Sequence, residues 1–207
     1  ELVATLPPAI VASTGVDALT HAIEGYTCKI AEPITDALGL YAIELIGKNI
    51  RKATFTDDAE AKANMLVASL IAGICFGQTD VAAVHCVAEA LGAVYDIPHG
   101  MANACMLPYV MEFNFVSDLD KFARIATALG EDTVGLAPRD AAMLGIEAVR
   151  VLNEDLGIPK LGATGARLED IELVAEKAAA NVSGPDNPRP ITKEDYVAML
   201  RQAFEDE

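Results

Sequence analysis

Among 207 residues there are only three histidines, four cysteines and no tryptophan, and aromatic side chains make up 5% of the chain. Cys28, Cys75, Cys86 and Cys105 form no CxxC pair and lie inside apolar segments, which argues against a cysteine-built structural zinc site or a disulfide framework. They are expected to be reduced core thiols of a cytoplasmic protein. Basic residues are also few: 15 Lys and Arg against 31 Asp and Glu leave a net charge of −16. Such a charge repels phosphate backbones and anionic lipid surfaces, so neither nucleic acid nor a membrane is an expected partner. No basic amino-terminal segment precedes an apolar run, so no signal peptide is visible, although the chain opens on Glu1 and not Met. The longest nearly apolar stretch, Met65 to Gly77, is shorter than the about 20 residues a bilayer crossing needs, and it reads as a buried helix. A glycine-rich phosphate loop of the GxGxxG type is missing as well; Gly162 and Gly165 lie near the carboxy terminus with no strand before them.

What is present is apolar and helix-forming. Hydrophobic residues make up 52% of the chain, enough for a substantial core, and alternating β-branched runs are few, so the expected class is all-α. Ser13 and Thr14 are candidate caps for a first helix ending near Thr27. Further helices are expected at about 34–53, from the acidic residues Asp57, Asp58 and Glu60 to about Phe76, and over 81–94. Asp96, Ile97 and Pro98 then break the pattern before His99 opens another helix. Later helices fall at about 118–129, 139–156, 168–180 and 192–204, and Thr192 with Asp195 resembles a capping box. No internal repeat or flexible linker interrupts residues 1–207, which read as a single helical domain.

The scarce histidines are placed with unusual economy. In GVDALTHAIEGY, Asp17 and His21 stand four apart, so both project from one helix face and can grip one ion. In VHCVAEALGAVYDIPHG, His85 lies in an almost wholly apolar helix, and His99 follows Pro98 at the start of the next. One carboxylate and three neutral imidazoles would give a site of net charge about +1 on a divalent ion, which suits iron or zinc. Cys86 neighbours His85 but points about 100° away on a helix, so it belongs to the core.

These segments resemble the carboxy-terminal domain of the iron-containing (group III) alcohol dehydrogenases, and fit the lactaldehyde reductase and propanediol oxidoreductase branch. The resemblance runs from LPPAIVASTGVDALTHAIEGY through IPHGMANACMLPYVMEFN to LGIPKL and SGPDNPRPITKEDYVAML. It implies an all-α domain of the architecture shared with dehydroquinate synthases and glycerol dehydrogenases, with Asp17, His21, His85 and His99 as metal ligands. It further implies Fe2+, with Zn2+ as the other ion the donors accept, and reversible NAD- or NADP-dependent oxidation of a small alcohol or diol to the aldehyde. The family commonly forms homodimers, and carries a histidine four residues beyond the third ligand; this chain has Glu89 there, which puts any proton relay by that histidine in question and makes Glu89 the candidate catalytic group. The family's dinucleotide-binding α/β domain precedes the metal domain. This chain starts where that domain would end, so the isolated chain is expected to bind metal without turning over alcohol. The stretch from Pro7 to Ala12 would, by the same resemblance, run beside the nicotinamide, with Ile10 either there or in the core. A metal-dependent hydrolase using Glu89 as base, or a non-catalytic helical module stapled by metal, are the other functions the donor set allows.

Overall fold

The computed structural model describes residues 3–205. Among the described residues there are nine α-helices and no strand: α1 (Pro8–Thr27), α2 (Pro33–Phe55), α3 (Ala59–Gln78), α4 (Ala83–Tyr95), α5 (His99–Asn114), α6 (Leu119–Leu129), α7 (Pro138–Leu156), α8 (Ile171–Ala179) and α9 (Lys193–Glu205). The all-α expectation holds.

Helix starts follow local chemistry. Asp58 accepts from the backbone N–H groups of Glu60 and Ala61 at 3.0 Å each, and Asp118 accepts from that of Lys121. The Thr192–Asp195 box forms as expected, with Asp195 Oδ2 accepting from Thr192 N at 2.8 Å and Thr192 Oγ1 accepting from Asp195 N at 3.3 Å. Ser13 and Thr14, by contrast, are not caps. The first helix already begins at Pro8, whose fixed φ and missing N–H suit a first helical position, and both hydroxyls donate back to the Ile10 carbonyl. The stretch expected as a helix over 168–180 opens with a 3₁₀ turn, Leu168–Asp170, before α8.

α1 is the central element, packed against α2 and α3 on one side and α5 on another, while α4 lies against α5 and α8. Leu19, Ile23 and Tyr26 of α1, Ile43, Ile46 and Ile50 of α2, and Met106, Leu107 and Met111 of α5 are fully enclosed. α5 comes unusually close to α1: a Cβ at Gly100 would stand 2.7 Å from the Ser13 carbonyl oxygen and 3.2 Å from the Asp17 Cβ. Only glycine next to His99 lets that helix start approach the Asp17 turn.

A proline inside α5 creates a debt that α7 settles. Pro108 has no N–H for the Ala104 carbonyl four residues earlier, and the buried Asn153 amide of α7 donates to that oxygen at 2.7 Å. The segment before α9 is fixed by a reciprocal amide pair, Asn114 with Asn187, at 2.8 Å in both directions.

The expectation of a buried helix over Met65 to Gly77 fails. α3 has 20 residues, and by length and composition it could cross a membrane. It packs on the domain through Ala61, Ala68, Ala72 and Cys75, leaving Leu66, Val67, Leu70 and Ile74 exposed. The apolar residues surround this helix on every side, so periodicity could not distinguish the face that packs from the face that does not. All four cysteines are buried and unpaired.

Candidate metal centre

α1 presents Asp17 and His21 one turn apart, α4 brings in His85 near its start, and α5 begins with His99. Ligand atoms of Asp17, His21 and His85 lie within 4.8 Å of one another. The Nε2 atoms of His21 and His85 are 3.1 Å apart. His99 joins at the rim, its Nε2 3.6 Å from Asp17 Oδ1 and its ring centroid 5.2 Å from that of His85. Side-chain exposure rises from 3% at His85 through 18% at His21 and 22% at Asp17 to 46% at His99, so the cluster opens to solvent on the His99 side.

Each of the two inner rings has its other nitrogen engaged. His21 Nδ1 lies 2.9 Å from the Asp17 carbonyl oxygen, and His85 Nδ1 lies 2.5 Å from Glu24 Oε2. Both oxygens accept only, so both rings carry hydrogen on Nδ1 and, when neutral, turn bare Nε2 lone pairs toward each other. Nitrogens about 2.1 Å from one ion at a tetrahedral angle stand about 3.4 Å apart, close to the observed spacing. The donor set therefore fits a first-row divalent metal. Burial, reinforced by His85, lowers the His21 pKa. Burial also opposes protonation of His85, but the hydrogen bond and charge of Glu24 outweigh it and leave His85 above the ordinary imidazole value.

Two members of the site were not anticipated. Glu24, 3% exposed, accepts from His85 Nδ1 and from the backbone N–H groups of Ala82 and Val84. Asn103, fully buried, donates from Nδ2 to Asp17 Oδ1 at 2.6 Å and sits 3.0 Å from His99 Nε2, while its Oδ1 has no partner. The signals were present in the sequence: Glu24 is seven residues beyond Asp17 and three beyond His21, and Asn103 four beyond His99, all helix-face spacings.

Glu89 lies one turn beyond His85 on α4, exposed, and its Oε2 accepts from Asn181 Nδ2 at 2.6 Å. Cys86 points into the core beside Tyr196, and burial pushes its thiol up to about 12. Ile10 is 46% exposed and so is not a core residue.

Fold and site together define an all-helical domain with a His- and Asp-lined centre suited to a divalent metal, open on one side. The sequence profile of the Fe-containing alcohol dehydrogenase family, C-terminal part, matches residues 11–204, and the chain belongs to that family. It is 42% identical over 200 residues to the 1,3-propanediol dehydrogenase of Klebsiella pneumoniae, covering 96% of this chain and 52% of that protein. The same figures hold for the lactaldehyde reductase of Escherichia coli K12. Among solved structures, a 1,3-propanediol oxidoreductase superposes with a TM-score of 0.95 at 42% identity, over 97% of this chain and 53% of that one. An alcohol dehydrogenase from Oenococcus oeni gives 0.93 at 40% identity, over 96% and 52%. The chain spans about half the length of the curated relatives it matches.

Proposed function

We propose that this chain is the metal-binding half of an NAD- or NADP-dependent iron alcohol dehydrogenase that interconverts a small alcohol or diol and its aldehyde. The observation that carries the proposal is the convergence of the His21 and His85 Nε2 atoms beside Asp17, in a chain of the iron alcohol dehydrogenase family. Asp17, His21, His85 and His99 hold the ion in this reading. Bound iron supplies Lewis acidity toward the substrate oxygen, and zinc is the other ion the same donors accept.

The chain's own residues set the conditions for that chemistry. Asp17 contributes the negative charge, and the imidazoles stay neutral donors. Burial of His85 keeps water from the inner side, and the exposed His99 side leaves room for a substrate. Glu89, exposed one turn beyond His85 on α4 and held by Asn181, is the candidate proton acceptor in this reading. In this reading the phosphate-binding part of the dinucleotide site lies outside this chain's residues, with Ile10 exposed beside the nicotinamide, so the chain alone takes up metal and does not oxidise alcohol. A homodimer in the cytoplasm, with neither nucleic acid nor membrane as partner, completes the proposal.

The test is to load the purified chain anaerobically with Fe2+, count bound iron, and follow NADH formation with 1,3-propanediol. The expected result is one equivalent of iron, lost in His21→Ala and His85→Ala, with no turnover. No iron uptake overturns the metal reading, and sustained turnover by the chain alone overturns its assignment as an incomplete enzyme.

A further inference from the structure

Glu24 is a carboxylate taken almost wholly out of water. Burying such a charge is costly unless its lone pairs are met. Among the described residues no lysine or arginine comes within ion-pair distance; its one ionisable partner there is His85. The remaining donors come from the same short stretch of α4 and the residue before it. Val84 N donates to Oε1 at 2.6 Å, Ala82 N to Oε2 at 3.0 Å, and His85 Nδ1 to Oε2 at 2.5 Å. Three donors thus converge on two oxygens, an arrangement that a carboxylate satisfies and an amide does not, because an amide has a single acceptor oxygen and an NH2 that would face an N–H.

Glu24 shares a face of α1 with Asp17 and His21, at intervals of seven and three residues. One helix therefore offers two groups to the centre and a third group to a histidine of another helix. We infer that Glu24 is a positioning residue for the metal centre: it holds His85 as the Nδ1–H form, fixes the ring's orientation, and turns a bare Nε2 toward the point shared with His21. This rests on the metal-centre reading given above. A carboxylate behind a metal-binding histidine also raises the basicity of the nitrogen that faces the ion, and loss of such a partner weakens metal affinity by about 10- to 100-fold. A carboxylate that only pinned α1 to α4 would affect stability and leave metal affinity and ring protonation unchanged.

The experiment uses the full chain with Zn2+ as probe, comparing wild type with Glu24→Gln, Glu24→Asp and, as a distant surface control, Glu112→Gln. Zinc affinity is read by competition with a chromogenic chelator, after circular dichroism has shown each variant to be folded. His85 protonation is read in the metal-free chain by nitrogen NMR of labelled imidazoles, at a pH where the ring is neutral. Wild type and E112Q are expected to show the Nδ1–H form and equal affinity. E24Q is expected to bind zinc about 10- to 100-fold more weakly and to show a mixture of ring forms. E24D, which keeps the charge but draws it back by one methylene, is expected to fold and to fall between, and it carries the test if E24Q does not fold. Wild-type affinity and an unchanged ring form in a folded Glu24 variant overturn the positioning role alone. Failure of the wild-type chain to take up zinc overturns the metal reading, and the positioning role with it.

Discussion

The Nε2 atoms of His21 and His85 face each other at 3.1 Å, each ring backed on its far side by an oxygen acceptor, the Asp17 carbonyl for one and the Glu24 carboxylate for the other. Two bare nitrogens at that distance repel unless a cation lies between them, a proton in the metal-free chain or a metal ion in the loaded one. A bound ion stabilises the folded chain by mass action, about 2.7 kcal/mol when free metal is one hundred times its dissociation constant. Thermal melts with and without Zn2+ are expected to show a clear upward shift in Tm for wild type. The shift should vanish in His21→Ala and His85→Ala. Equal shifts in wild type and both variants would place the ion elsewhere.

The pairing of Pro108 with Asn153 gives a second test. Asn153→Ala leaves the Ala104 carbonyl without a donor inside the domain, at an expected cost of about 1–3 kcal/mol. Pro108→Ala restores an N–H at the place the helix needs it, so the double variant should recover part of that loss. Urea denaturation of the four proteins in a double-mutant cycle reads the coupling, and additive effects would contradict it.

The outward face of α3 makes an opposite prediction for two leucines. Leu70 is 64% exposed, and Leu70→Glu is expected to change stability by no more than about 0.5 kcal/mol. Leu19 of α1 is fully buried, and Leu19→Ala should cost about 2–5 kcal/mol. A large loss from L70E in urea melts would mean that the α3 face is covered in solution.

The buried thiols set the alkaline limit. Burial pushes Cys75 up to about 11 and Cys86 and Cys105 up to about 12, from an ordinary value of 9.0. As pH rises past 9.0 the unfolded chain sheds thiol protons that the folded chain still holds, so ionisation favours unfolding. Stability is therefore expected to fall from about pH 9 toward about 12, with a lower urea midpoint at about pH 10 than at about pH 8, on either side of the ordinary thiol value. Cys86→Ala should flatten that slope. A disulfide reagent should find no reactive thiol in the native chain and four in the unfolded one.

Much of this was legible in the sequence because its signals are local. Asp17 and His21 are one turn apart, Asp96 and Pro98 break the chain before His99, and Thr192 with Asp195 announces the last helix. Glu24 and Asn103 escaped notice because each is an ordinary residue whose importance depends on a partner far away in sequence. Glu24 meets His85 across 61 positions, and Asn103 meets Asp17 across 86. The start of α1 was misplaced because hydroxyls that could cap a helix also bond well within one, and Pro8 settled the matter. For α3, a helix apolar all round carries no marker of which side packs.

That long reach of Glu24 has a consequence for how the chain folds. Asp17 and His21 can meet in any transient turn of α1, but His85 is aimed only after residues 82–85 have docked on Glu24 and closed a loop of about sixty residues. A collapsed chain with its helices formed but undocked would hold an ion by two donors, loosely. In the metal-centre reading, tight metal retention therefore reports that this docking, beyond the formation of the helices themselves, is complete.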